Sequence, residues 1–114
     1  MRNLIYGILL FIVGQSLIWF QTNGQFIWPW FKRNPLIVSL VAGTTISYMF
    51  IIATRSVAEY YGGLLWPGRF IAFGTGMVSF SILTWYILGE GLSTKTVISL
   101  MLALTLVTIQ IVWK

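Results

Sequence analysis

The chain has 114 residues, of which 58% are hydrophobic and 8% are charged, and its formal net charge at pH 7 is +5. This composition lies outside the range of soluble domains, and the lack of cysteine and histidine excludes disulfides, thiol chemistry and the usual transition-metal sites. The seven cations are scattered at predicted helix ends, which is typical of anchors at a membrane surface and argues against a nucleic-acid partner.

Four long apolar segments divide the chain, and each is about as long as a helix that crosses a bilayer. The sequence therefore predicts an all-α membrane protein, a single domain of four transmembrane helices over residues 1–114. We expect a multi-pass protein of a cell membrane, with the first segment retained because it lacks a small-x-small cleavage site. The predicted helices cover residues 4–20, 35–54, 66–88 and 94–113.

The first predicted helix carries two glycines on one face, Gly7 and Gly14, and a single strongly polar side chain near its middle, Gln15. Two interpretations of Gln15 stay open. It can form a hydrogen bond to a neighbouring helix and so hold the bundle together, or it can line a binding pocket.

The first connection, residues 21–34, is polar at its start and then aromatic. Phe26, Trp28, Trp30 and Phe31 precede Lys32-Arg33, and aromatic residues followed by cations are typical of the headgroup zone. We therefore expect this connection to lie on the membrane surface.

Small residues form a ridge on the second helix and another on the third, each with the spacing i, i+4, i+8. Such ridges let two helices approach closely, so the sequence predicts that the second and third helices pack on each other as an antiparallel pair. The ridges are Ser39, Gly43 and Ser47, and Gly68, Ala72 and Gly76.

The second connection reads RSVAEYYGGLL from Arg55 to Leu65, and Gly62-Gly63 offers the break before the third helix. Shortly after it comes Arg69, a cation inside an apolar segment, where a charge is costly. One interpretation is that Arg69 extends to the lipid headgroups. The other is an anion-binding site at Arg69, since a guanidinium suits carboxylate or phosphate. Its predicted hydrogen-bond partners are Gln15, Tyr60 and Tyr61, with Glu59 pairing with Arg69 when the site is empty.

The fourth helix is predicted to begin after Ser93, a good N-cap, and its nearly featureless surface suits contact with lipid or with a second copy. Four cations are expected on one side of the membrane and three on the other, which is a weak bias. The partners we expect are therefore membrane lipid and a homodimer, antiparallel if both orientations insert, or a larger membrane complex. The two sets are Arg2, Arg55, Arg69 and Lys114, and Lys32, Arg33 and Lys95.

Several local motifs accompany this four-helix pattern. Gly74-Thr75-Gly76 lies in the third helix, Trp85 near its end, Gly89-Glu90-Gly91-Leu92 in the turn after it, and Trp28-Pro29 ahead of the second helix. They resemble the G-V-G element, the tryptophan, the G-Q-R-L turn and the W-P of the small multidrug resistance family. That family is the four-helix branch of the drug/metabolite transporter superfamily. The resemblance implies a small-multidrug-resistance-like bundle and a dimer.

The chain departs from the family at two positions. The family's coupling carboxylate falls at Gly14 and its pocket tyrosine at Arg69, so the resemblance does not imply proton-coupled drug efflux. Four-helix subunits of the same superfamily that flip lipid-linked sugars also lack the carboxylate. We therefore expect a small transporter or flippase-like subunit for an anionic or lipid-linked substrate, or else a non-transporting subunit of a larger membrane complex.

No enzyme is predicted. The only carboxylates, Glu59 and Glu90, lie in different connections, and the sequence shows no nucleophile–base pair, phosphate loop or nucleotide fingerprint. We accordingly expect no catalytic residue, no metal and no cofactor.

Overall fold

The structure, a computed structural model, describes residues 1–113 and is helical almost throughout. A 3-10 turn, Gly24–Phe26, follows the first helix, and a π-helical turn, Thr84–Leu88, continues the fourth. The helices are α1 (Arg2–Asn23), α2 (Pro29–Arg33), α3 (Pro35–Tyr60), α4 (Trp66–Leu83) and α5 (Thr94–Val112).

Four of these helical stretches are long and apolar enough to cross a membrane, which confirms the predicted fold class of an all-helical four-span protein. Local chemistry fixes their starts. Proline occupies an early position of α3 and of α4, where its missing N–H costs nothing, and the Ser93 side chain accepts a hydrogen bond from the Thr96 amide at the start of α5. The spans are Arg2–Phe26, Pro35–Tyr60, Trp66–Leu88 and Thr94–Val112.

Helix α3 is longer than its predicted range of 35–54 and continues to Tyr60. The chain has no proline or glycine in this stretch until Gly62 and Gly63, whose positive φ angles of 68° and 97° end the helix. With 26 residues, α3 is roughly 39 Å long at 1.5 Å per residue, which exceeds a hydrocarbon core of about 30 Å. Its last turns, which carry Arg55 and Glu59, therefore extend toward the headgroups.

Helix α1 is the central element of the bundle. It packs between α3 and α4, whereas the backbone of α5 comes close only to that of α4 within the described residues. The core lies along α1, where Phe11 and Leu4 contact Val57 of α3 and Ile71 of α4. The chain therefore wraps two consecutive helices around its first one.

The two predicted small-residue ridges do not face each other, because α1 occupies the space between most of α3 and α4. Ser39 and Ser47 are exposed. A Cβ added at Gly43 would meet only the Gln21 amide of α1, at 3.5 Å, and one added at Gly76 would meet Gln15 of α1, at 2.9 Å.

The α4 ridge does reach α3 at its first member. Gly68 faces Val57 of α3, with 3.7 Å from an added Cβ to the valine, while Ala72 is buried in the core along α1. The predicted antiparallel pair is therefore limited to one end of the bundle.

The first connection folds into an aromatic cluster. The ring of Trp28 lies 6.3 Å from that of Phe20 and 5.2 Å from that of Phe31, and Trp30 contacts Phe31 in turn. The short helix α2 then ends in Lys32 and Arg33. This arrangement agrees with the predicted position at a membrane surface, where aromatic rings and cations are enriched.

Candidate functional site

A large cavity lies at the end of the bundle where α1 and α4 begin and α3 and α5 end. Its volume is about 1100 Å³. Its walls come from four helix ends and from the α3–α4 connection. The lining residues are Met1, Leu4, Tyr60, Tyr61, Leu64, Trp66, Pro67, Phe70, Gln110, Ile111 and Trp113.

The turn between α3 and α4 builds this cavity. Because α3 continues to Tyr60, both tyrosines stand at its end, and the left-handed Gly62 and Gly63 then reverse the chain. Pro67, near the start of α4, is buried below the turn and lines the cavity floor.

Aromatic rings and neutral polar groups dominate the cavity wall. Tyr60 and Tyr61 meet edge to face with ring centroids 4.9 Å apart, and Gln110 of α5 adds an amide. Burial, with a smaller contribution from Tyr60, raises the pKa of the Tyr61 hydroxyl, so this group stays protonated at neutral pH and can donate a hydrogen bond. None of the described lining residues carries a charged side chain.

A smaller apolar groove of about 190 Å³ lies next to the cavity, along the bundle. It runs between α1 and α5, with α4 as its floor, and Ile111 borders both spaces. Its one polar residue, Thr75, directs its hydroxyl to the carbonyl oxygens of Ile71 and Ala72, at 2.9 and 3.0 Å, which leaves the groove apolar. The wall residues are Ile8, Ile12, Ile71, Gly74, Thr75, Val78, Leu104, Val107 and Ile111.

The five residues predicted to bind substrate are not brought together. Tyr60 and Tyr61 line the cavity, away from the predicted centre at Arg69. Arg69 and Glu59 are exposed and are not among its lining residues, and Gln15 lies elsewhere in the bundle. The candidate site is therefore centred on Tyr60 and Tyr61 instead of on Arg69.

Gln15 links α1 to α4. Its amide nitrogen donates a 2.9 Å hydrogen bond to the carbonyl oxygen of Ala72, and its side chain covers Gly76. It also borders a smaller cavity of about 300 Å³ between the two helices. Of the two interpretations that the sequence left open, this geometry favours the interhelical hydrogen bond, a contact worth about 1 kcal/mol in a bilayer.

Sequence reasoning missed the other aromatic and amide groups of the cavity wall, which are Trp66, Phe70, Gln110 and Trp113. All four lie within about two turns of helix ends that four spans place on one side of the membrane. The position of these residues at helix ends on one side of the membrane could have indicated the cavity from the sequence. It did not, because tryptophan near helix ends is also expected from its preference for the headgroup zone.

Exposure of Arg69 leads to the first prediction. We expect Arg69→Lys to leave the melting temperature and lipid retention of the purified protein unchanged, because either stem carries its charge to the headgroups. Thermal unfolding in detergent and mass spectrometry of co-purified lipid measure this. A loss of lipid in Arg69→Lys with an unchanged melting temperature would instead restore the predicted bidentate anion site.

Comparison of the chain with protein-family models, with curated proteins and with solved structures finds no match in any of the three. The structure therefore establishes a small four-span integral membrane protein. The resemblance to the small multidrug resistance family remains a prediction.

Proposed function

We propose that the protein is a small membrane transporter or flippase-like subunit for a lipid-linked or anionic substrate. The observation that carries this proposal is the aromatic cavity at one end of the bundle, which has an apolar groove between α1 and α5 next to it. A cavity with hydroxyl and amide groups in its wall, beside a groove without exposed polar groups, suits an amphiphile with its headgroup at the surface and its chain in the bilayer.

The spacing of α1 and α5 supports movement of such a substrate. Within residues 1–113 their backbones do not approach each other closely, and the apolar groove lies between them. The backbone of α5 comes close only to that of α4, and Ala103 is its one buried residue among those described. A helix with so few contacts can shift at low cost, and such a shift would widen the groove.

The lipid-linked alternative is better supported than the anionic one. The described cavity wall offers hydroxyl, indole and amide groups but no cationic side chain, and Arg69 lies outside it. An anion buried without a cation is unfavourable.

Proton-coupled cation exchange has no support at the position of the family's carboxylate. A Cβ at Gly14 would lie 2.5 Å from the ring of Phe50, which itself packs on Phe11. A carboxylate side chain there would have to displace the α3 ring.

A second candidate is a non-transporting subunit that packs into a larger membrane complex or a homodimer. The exposed outer surface of α5 favours it, since the large apolar side chains of Ile98, Met101 and Leu102 are exposed there. Such an apolar surface is satisfied by lipid but also fits a partner helix.

The test is lipid movement in liposomes reconstituted with the purified protein. Fluorescent phosphatidylglycerol and a fluorescent monoglycosyl lipid report transfer between leaflets through their accessibility to dithionite. We expect faster transfer of at least one probe than in protein-free liposomes. The variants Tyr60→Ala and Trp66→Ala, which remove exposed parts of the cavity wall, should abolish the gain.

The matched control is Tyr48→Ala, since Tyr48 is an exposed tyrosine on α3 outside the cavity. It should transfer lipid like the unaltered protein. Transfer no faster than in protein-free liposomes, with another membrane protein co-purifying at a fixed ratio, would establish the second candidate instead.

A further inference from the structure

The cavity and the groove are neighbours that differ sharply in chemistry. Ile111 of α5 borders both, so the two are neighbours across a single side chain. On one side of it lie tyrosine hydroxyls and an amide, and on the other only aliphatic groups and the methyl side of Thr75.

The groove has a length suited to part of an acyl chain. From Ile71 to Val78 it follows eight residues of α4, a rise of roughly 10 Å at 1.5 Å per residue. A leaflet contributes about half of a hydrocarbon core of roughly 30 Å, so the groove accommodates the upper part of one chain. Gly74 on its floor faces Val107, and this close approach of α5 defines one wall.

Hydrogen-bonding capacity in the cavity is large and uncommitted. Within residues 1–113, no side-chain hydrogen bond occupies the hydroxyls of Tyr60 and Tyr61 or the amide of Gln110. Hydroxyls and amides both donate and accept, and aromatic rings present apolar faces beside them. A headgroup bearing several hydroxyls matches this pattern, whereas none of the described lining residues offers a charged side chain to a phosphate.

We infer that the cavity and the groove together bind one membrane lipid, with an uncharged, hydroxyl-rich headgroup in the cavity and one acyl chain in the groove. The inference rests on the proposed function, because it names the class of lipid that the same site takes. The occupant comes from the bilayer, since the groove is apolar and is lined by three membrane-spanning helices. The cations Arg2, Arg55 and Arg69 at this end are exposed and do not line the cavity.

The experiment is native mass spectrometry of the protein released from nanodiscs that contain equal amounts of phosphatidylcholine, phosphatidylglycerol and monogalactosyl diacylglycerol. We expect preferential retention of the galactolipid. Tyr61→Phe and Gln110→Leu should each lower that preference about fivefold, the factor for one lost hydrogen bond. Val78→Trp fills the groove and should reduce retention of all three lipids.

Two control variants lie outside the site. Tyr48→Phe removes an exposed tyrosine hydroxyl from α3, and Val41→Trp adds an indole to an exposed position of the same helix. Both should retain lipid like the unaltered protein. Equal retention of the three lipids, or preference for phosphatidylglycerol, would overturn the inference.

The outcomes separate this inference from the proposed function. Preferential retention of the galactolipid without transfer between leaflets supports the lipid-binding site and rejects transport. Transfer without that preference supports transport and rejects a binding site for an uncharged headgroup. A protein that shows neither overturns both.

Discussion

Gly7→Ala is expected to destabilise the bundle by about 1–3 kcal/mol, as over-packing of a tight contact does. A Cβ at this position would lie 2.5 Å from the Val57 side chain and 3.1 Å from the backbone oxygen of Ala53. Val57 is fully buried and stiff, and a backbone oxygen cannot move away alone. Helices α1 and α3 would therefore have to separate, and thermal unfolding in detergent would show a lower melting temperature.

The matched control is Gly43→Ala, which adds the same methyl group to the middle of α3. Its Cβ would meet only the end of the Gln21 side chain at 3.5 Å, an ordinary contact, so its melting temperature should stay unchanged. Val57→Ala combined with Gly7→Ala should recover part of the loss, because it removes the closest clashing atom. If Gly43→Ala melted as low as Gly7→Ala, α1 would not lie between α3 and α4 as the structure has it.

Trp19→Ala is expected to cost about 3–5 kcal/mol, the range for removing a large buried aromatic side chain. Trp19 is 2% exposed although it stands near the end of α1, where a tryptophan at a membrane interface would be accessible. Its indole N–H donates a 2.9 Å hydrogen bond to the Thr84 hydroxyl, at the point where α4 changes to its π-helical turn. The contact thus fixes that turn against α1.

Conservative variants separate the contribution of the hydrogen bond to stability from that of side-chain packing. Thr84→Val keeps the shape and leaves the buried indole N–H without a partner, for an expected loss of about 1–2 kcal/mol. Adding Trp19→Phe to Thr84→Val should cost less than the sum of the two single changes, since one bond cannot be lost twice. Trp30→Ala, at an exposed position of the aromatic cluster, is the control and should melt like the unaltered protein. Strict additivity in the cycle would show that the bond contributes nothing.

The amino-acid sequence by itself determined the four spans and most of their ends. Apolar length predicts a helix that crosses a bilayer whatever it packs against, and the caps act through neighbouring residues only. Pro35, Pro67 and Ser93 therefore marked the starts of α3, α4 and α5 correctly. The end of α3 was predicted at residue 54, where the apolar run stops before Arg55. The helix continues to Tyr60 because no proline or glycine lies between Arg55 and Gly62.

Only the tertiary structure decided which helix faces meet. In a bilayer, the lipid side of a helix is as apolar as its packed side, so hydrophobic periodicity does not mark the interface. The spacing of small residues indicates a packing face, but it does not indicate which helix packs there. Gly7 and Gly43 look alike in sequence, yet one touches Val57 closely and the other has room. Likewise, Tyr61 and Gln110 are distant in the chain, and the fold alone places them in one cavity.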